Sequence, residues 1–272
     1  MKTITDGQIT GIVKKLCLEA NIRLRPDVLK ALKAAESREK RPRARRCLKA
    51  VIENARIARE DRLSVCQDTG FPAVFIELGN EVRVKGDLAA AVNKGIAQGY
   101  SAGSFRASIV PDPLKRGTPG FVPAVIHTDI VKGSRVRITV IPKGFGCENK
   151  GRLKMFNPTA SVDDVARFIV DTVREAGGDA CPPYIIGVGI GGTADLACLM
   201  AKRALLRPLG HPDGLEKRLL KEINSLGIGP FGLGGAATAL GVLVETFPTH
   251  IAGLPVAVSI SCHALRSASA LL

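Results

Sequence analysis

Three cysteines stand in polar or glycine-rich turns, and their residue type could support metal chemistry. Cys66 lies in SVCQDTG, just before an apolar run; Cys181 opens CPPYIIGVGIGG; Cys262 follows the strand-like VAVSIS. Three thiolates are one short of the four that hold an iron–sulfur cluster, so one iron would keep an open position and could act as a Lewis acid. Their long spacing does not by itself identify a cluster, and a buried apolar role is the alternative for each Cys alone.

The remaining cysteines and the lack of a secretion signal bear on the compartment. Cys17, Cys47 and Cys198 lie in helical patterns among Leu and Ala, and we predict that they are small core residues. The total of seven Cys is odd and no CxxC occurs. This usage favours a reducing, cytoplasmic environment over a disulfide framework.

Further polar motifs lie beside the likely strand ends. Asp68 is two residues from Cys66 and could move a proton there, or it could form an ordinary Asx turn before Gly70. The stretch PKGFGCENK is either a simple loop or an anion cradle of backbone N–H groups. GVGIGG lacks the context of a dinucleotide site and indicates a buried strand whose glycines allow close approach.

The net charge of +14 and the pI near 9.8 favour anionic partners. Aromatic residues make up only 4% and Trp is absent, so stacking platforms for nucleic acid are few. The basic cluster at 37–50 is interpreted as a solvated helix start, with nucleic-acid binding as the alternative. No apolar run approaches the ~18 residues of a membrane span.

The elements that must position these residues indicate a mixed α/β fold. We predict one domain over residues 1–272, with helices packed around a central mixed sheet. The run FPAVFIELG favours a strand, and FVPAVIHTDIV and SRVRITVIPKG favour two strands paired with each other. Helices are expected to open at Asp87, Ser161 and Thr193, and residues 108–120 should form a loop.

Five stretches together resemble the α subunit of class I fumarate hydratase, an iron–sulfur hydro-lyase family that includes L-tartrate dehydratase. They are CQDTG, KGFGCENK, CPPYIIGVGIGGTADLACLMAKRALLRPLG, LGIGPFGLGG and PTHIAGLPVAVSISCHALR. The resemblance implies a [4Fe-4S] cluster on Cys66, Cys181 and Cys262, with Asp68 transferring a proton at the hydroxyl that leaves or adds.

The same resemblance implies the substrate contacts and the reaction. Gln67, Arg106, Gly144, Gly146 and His250 match the positions that bind substrate in the family. The reaction implied is the reversible hydration of fumarate to L-malate, a step of the tricarboxylic acid cycle. L-tartrate dehydration and mesaconate hydration are the alternatives.

The resemblance also implies a partner and shows two departures from the family. A separate β subunit is expected, because the sequence stops soon after Cys262, and the assembly expected is α2β2. Cys147 stands where the family usually has Ser or Ala, and it could be a redox-sensitive bystander. The loop KRGTPGFVPAVIH departs from the usual Asn-Thr-Gly-rich version. His127 is expected to be structural, and His263 could support the ligand beside it.

Overall fold

The computed structural model describes residues 2–210, 212 and 214–272. The helices are α1 (Asp6–Ile22), α2 (Pro26–Arg38), α3 (Pro42–Glu60), α4 (Leu88–Ala102), α5 (Phe145–Glu148), α6 (Val162–Ala176), α7 (Ala194–Ala204) and α8 (Gly214–Ser225). The strands are β1 (Lys2–Thr5), β2 (Phe71–Gly79), β3 (Val82–Lys85), β4 (Val125–Val131), β5 (Val136–Lys143), β6 (Arg152–Phe156), β7 (Tyr184–Gly192), β8 (Ala239–Thr249), β9 (Leu254–Ser261) and β10 (Ala268–Leu271).

The predicted mixed α/β class is confirmed, and the chain forms two compact units. Unit 1 comprises Met1–Leu24, Ala55–Phe145 and Arg266–Leu272; unit 2 comprises Arg25–Asn54 and Gly146–Leu265. The sequence predicts one central sheet, whereas each unit has a four-stranded sheet of its own, because each set of apolar strands is covered by different helices. That residues 1–272 act as one catalytic domain stays a prediction.

Unit 1 is built on a mixed sheet with the strand order β10-β5-β2-β4. One face of β2 and β5 is buried beneath α1 and α4, with Val74, Ile76, Ile138 and Val140 in the shared core. A separate parallel pair joins β1 to β3. The predicted cap at Asp87 is confirmed, since its carboxylate accepts a hydrogen bond from the Ala90 N–H.

The prediction that the two strands after the loop pair with each other is wrong. β4 pairs in parallel with β2, and β5 pairs antiparallel with the other side of β2. The reason is that β2 and β5 are buried along most of their length and take the two inner places, whereas β4 is largely exposed and takes the edge. Residues 108–120 form the predicted loop, which contains only isolated bridges.

Unit 2 is built on a mixed sheet with the strand order β6-β9-β7-β8. Helices α6 and α8 share a core with one face of this sheet, and α7 packs on β7. Two glycines of β7 allow α7 to approach, because a Cβ would lie 2.0 Å from the Ala201 oxygen at Gly187 and 2.1 Å from the Ala197 oxygen at Gly189. The predicted close approach at GVGIGG is thus an approach of helix backbone.

The sequence signals for helix ends in unit 2 are mostly confirmed. Ser161 and Asp164 form a capping box at the start of α6, and Gly177 ends the helix with φ 56°. Thr193 stands at the N-cap of α7, but its hydroxyl donates to Asp195 and makes no cap bond to the backbone. Within the described ranges, the helices lack the combination of length and apolar character needed to cross a membrane.

Candidate active site

In unit 1 the stretch SVCQDTG runs without regular structure into β2. Cys66 is partly exposed and is not part of a disulfide, and its Sγ lies 3.4 Å from the Gln67 Oε1. The Val65 N–H donates to the Asn21 carbonyl on α1 at 2.9 Å, which ties this stretch to the unit's core. The Cys66 thiol and the Asp68 carboxylate are therefore presented together from one short segment ahead of a buried strand.

The Asp68 carboxylate is oriented by two backbone donors. Its Oδ1 accepts from the Gly70 N–H at 3.0 Å, and its Oδ2 accepts from the Phe145 N–H at 2.8 Å. The first bond is the Asx turn that the sequence offered as an alternative. An ionised carboxylate has about four acceptor sites, so two such bonds leave it able to take a proton as well.

The stretch PKGFGCENK, predicted as a loop, contains the short helix α5 directly after β5, and the turn at Gly144 between them is shaped around this carboxylate. A Cβ at Gly144 would lie 3.1 Å from the Asp68 Oδ2, which is tighter than ordinary contact. The N–H of Phe145, which the cradle interpretation would assign to a bound anion, is occupied by Asp68. Gly146 has open space around its Cα and shows no such constraint.

Arg106 is joined to the same segment through its main chain. The Thr69 hydroxyl donates to the Arg106 carbonyl at 3.1 Å, and the Tyr100 hydroxyl donates to the Thr69 carbonyl at 2.8 Å. The Arg106 side chain is exposed. A guanidinium so placed can bind a carboxylate with two parallel hydrogen bonds.

Sequence reasoning missed a buried pair behind this segment. Arg266 is 3% exposed and donates from Nη2 to the Asp68 carbonyl and from Nε to the Asn21 Oδ1 at 3.3 Å. Asn21 is fully buried, and its Nδ2 donates to the Cys17 carbonyl at 3.1 Å. Arg266 lies in the quoted CHALR motif, yet nothing in the residue type indicates that it is buried.

In unit 2 the fold brings Cys181 and Cys262 to neighbouring ends of two paired strands. Cys181 precedes β7 and Cys262 follows β9, and these strands are antiparallel neighbours. The His263 N–H contacts the Cys181 carbonyl at 3.5 Å, and the His263 Nδ1 lies 3.1 Å from the same oxygen. Cys181 is exposed with φ 58°, and Cys262 is partly buried.

The Gly-rich stretch LGIGPFGLGG packs against the turns that carry Cys181 and Cys262. The Phe231 N–H donates to the Pro182 carbonyl at 2.9 Å, and the Phe231 ring lies 5.1 Å from the His263 ring. At Gly178 a Cβ would lie 3.1 Å from the Gly232 Cα, so the two turns are in close contact. These contacts join His263 to the main chain of Cys181, and the support predicted for the adjacent Cys262 stays a prediction.

His250 lies at the opposite end of the same sheet. It follows β8 beside Gly192, where the Thr249 hydroxyl donates to the Gly192 carbonyl at 3.1 Å. The eight residues of β9 separate it from Cys262, a span of roughly 25 Å at strand rise. His250 therefore does not join the Cys181–Cys262 pair within unit 2, and its substrate role stays a prediction.

The other cysteines divide into buried and exposed thiols. Cys17 is fully buried, and burial raises the pKa of its thiol to about 12. Cys147 is buried, with its Sγ 3.5 Å from the Ala180 carbonyl. The prediction that Cys198 is a core residue is wrong, because α7 buries Ala197 and Ala201 against the sheet and leaves Cys198 exposed. Cys47 is only partly buried.

The sequence profile of the family described as "Fumarate hydratase (Fumerase)" matches residues 10–271 of the chain. The chain belongs to the fumarate hydratase (Fumerase) family. The chain is similar to a Methanocaldococcus jannaschii protein, provisionally named L(+)-tartrate dehydratase subunit alpha, and is 39% identical to it over 96% of each chain. The L(+)-tartrate dehydratase subunit alpha of Escherichia coli K12 is 30% identical over 98% of this chain and 91% of its own.

Three thiols of this fumarate hydratase family member suit an iron–sulfur group, because thiolates are the donors such a group takes and these three are accessible to solvent. The seven Cys form no disulfides, and Cys66, Cys181 and Cys262 are each exposed or partly exposed near strand ends. The part of the chain that the structure describes contains no group of three or more His, Cys, Asp or Glu side chains arranged to hold a single metal ion. Cys181 and Cys262 lie on paired turns of unit 2, and in unit 1 Cys66 lies two residues from the Asp68 carboxylate.

Proposed function

We propose that this chain is the α subunit of a two-subunit iron–sulfur hydro-lyase that adds water reversibly across the double bond of a four-carbon dicarboxylate. The observation that carries the proposal is the Cys66–Gln67–Asp68 segment, in which an accessible thiol precedes a carboxylate oriented by two backbone donors. Family membership and the relatives' names as dehydratase α subunits support it.

Cys66, Cys181 and Cys262 are proposed as the ligands of a [4Fe-4S] cluster. Such a cluster, when bound by three thiolates, supplies an iron with an open position that acts as a Lewis acid. The Cys181–Cys262 pair supports the proposal, because both thiols lie on turns held together by His263. Thiolates are the donors that iron–sulfur clusters take.

The chain's own residues would bind the substrate and move one proton. Asp68 is proposed to give a proton to the departing hydroxyl oxygen in dehydration and to take it back in hydration. The exposed Arg106 guanidinium would clamp one substrate carboxylate and fix the position of the reacting carbon. The excess of cationic side chains would favour the encounter with a dianion.

Two substrates have specific support. The family description and the motifs quoted above favour fumarate, which becomes L-malate when water adds. The names of the relatives favour L-tartrate, whose dehydration gives the enol of oxaloacetate. Turnover of each acid by the chain together with its β partner decides between them, and the α chain alone is expected to show little turnover with either.

The ligand assignment is tested by iron content after anaerobic reconstitution. Cys66→Ala, Cys181→Ala and Cys262→Ala are each expected to lower the iron bound per chain and the visible absorbance. Cys198→Ala is the matched control, because Cys198 is exposed like Cys181 yet lies on the outer face of a helix. Equal iron loss in the control and in the three variants would show that the thiols are wrongly assigned.

A further inference from the structure

The main chain of residues 65–69 is held by buried polar contacts that the proposed chemistry does not use. The Val65 N–H donates to the Asn21 carbonyl, the Asp68 carbonyl accepts from Arg266, and the Thr69 carbonyl accepts from Tyr100. Asn21 is 0% and Tyr100 1% exposed. A segment that carries a thiol and a carboxylate is thus fixed from behind by unit 1's interior.

Among the residues that hold this segment, Arg266 is the one whose burial is energetically most unfavourable. Its residue is 3% exposed, and burying a guanidinium is unfavourable unless hydrogen bonds satisfy it. Nε and Nη2 of its planar fork reach two acceptors on different elements, Asn21 on α1 and the Asp68 carbonyl. An apolar side chain would fill the same space without that cost, so packing alone does not explain an Arg here.

We propose that Arg266, anchored by Asn21, is a positioning residue that fixes the main chain at residues 65–69. By holding the Asp68 carbonyl, it sets where the Asp68 carboxylate and the Cys66 thiol point. The two backbone N–H groups that bind the carboxylate fix its rotation, whereas Arg266 fixes the Cα from which it projects. The inference deepens the proposed function and rests on it for the roles of Cys66 and Asp68.

The fork geometry makes Arg266→Lys the sharpest variant. A lysine keeps the charge and most of the length but cannot reach both acceptors in one plane. The expected result is a segment that opens more often while the α1–α4 core stays folded. The rate of Cys66 alkylation by iodoacetamide in the metal-free chain, followed by mass spectrometry, reports this opening without any activity measurement.

The matched control is Arg25→Lys in unit 2. Arg25 is 8% exposed and donates to the Leu205 carbonyl at 2.6 Å and to the Arg207 carbonyl at 2.7 Å. Arg266→Lys is expected to raise the Cys66 rate on the order of fivefold relative to Cys198 in the same molecule. Arg25→Lys is expected to lower the melting temperature comparably and leave that ratio unchanged. Equal Cys66 rates in both variants would overturn the proposal.

A second variant and a kinetic measurement complete the test. Asn21→Ala removes the side chain that anchors Arg266 but keeps Arg266 itself, so it should also raise the rate of Cys66 alkylation. This variant keeps the test decisive if Arg266→Lys does not fold. In the complete two-subunit enzyme, Arg266→Lys should lower kcat about tenfold or more with a smaller change in KM. If the unaltered enzyme showed no hydration activity, the proposed function would fail, and the alkylation comparison would still test the positioning role. If the enzyme were active and Arg266→Lys left kcat unchanged, the positioning role of Arg266 would be refuted.

Discussion

At the scale of single residues, the sequence located the chemistry but not what supports it. Cys66 and Asp68 could be found because a Cys and an Asp beside a Gly-containing turn are unusual just before an apolar strand. The Asx turn and the candidate proton carrier proved to be compatible, since one carboxylate oxygen binds Gly70 and the other binds Phe145. Arg266 could not be found, because its contact with Asp68 spans 198 residues of sequence.

We expect Asp68→Asn to separate the carboxylate's chemical role from its structural one. The amide keeps one oxygen acceptor and loses the other, so folding should be destabilised by about 1 kcal/mol. Proton transfer is lost altogether, and kcat in the complete enzyme should fall on the order of a hundredfold or more. Thermal unfolding and turnover, measured on the same preparation, check both effects.

Asp112→Asn is the control for that prediction. Asp112 lies in another loop of unit 1, and its carboxylate also accepts from two backbone N–H groups, those of Leu114 at 2.8 Å and Lys115 at 2.7 Å. Both N–H groups donate to its Oδ1, so an amide can keep both bonds, and Asp112→Asn should retain its stability and its kcat. Retention of turnover in Asp68→Asn would remove Asp68 from the mechanism.

At the scale of elements, the existence of strands and helices was predictable and their pairing was not. Apolar runs and caps identify β2, β7 and α6, because those signals are local. That β2 separates β4 from β5 depends on which strand gains most from being covered on both sides, a property of the whole sheet. The glycines of β7 were assigned to close approach, but the approaching partner, α7, required the structure.

Gly189→Ala should destabilise unit 2 by more than about 2 kcal/mol. The added methyl group would lie 2.1 Å from the Ala197 carbonyl oxygen, so α7 must move away from β7. Denaturant unfolding measures the loss. Gly11→Ala, on the exposed side of α1 with nothing within 4 Å, should instead stabilise by roughly 0.5–1 kcal/mol. A neutral Gly189→Ala would mean that the contact is loose.

At the scale of the whole molecule, composition gave the class and the charge, while the division into two units came only from the structure. Each unit combines distant parts of the sequence, and no linker composition marks the boundaries.

The chain has two Tyr, and one lies in each unit: Tyr100 in unit 1 and Tyr184 in unit 2. Both are buried, and burial raises the pKa of each phenol well above its usual value.

These phenols give a pH prediction that reports on both units. A raised pKa in the folded state means that the folded chain favours the neutral phenol, so the stabilisation is complete below the unfolded pKa near 10 and is lost as the pH rises above it. Phenolate absorbance should therefore appear only together with unfolding. Absorbance near 295 nm and circular dichroism, recorded along one alkaline titration, should change at the same pH. Phenolate forming near pH 10 with the circular dichroism intact would contradict the burial of these rings.

The segment Arg266–Leu272 returns to unit 1 after the whole of unit 2, and this has a consequence for biosynthesis. β10 pairs with β5, and Arg266 reaches Asp68, only once every residue of unit 2 has been translated. Domains usually fold in the order in which they leave the ribosome, at about 5–20 residues per second. Unit 1 departs from that order: its helices and central strands emerge early, but the guanidinium behind Asp68 arrives many seconds later. Until then the segment that carries the Cys66 thiol has its contacts at Val65 and Thr69 but not the one at the Asp68 carbonyl.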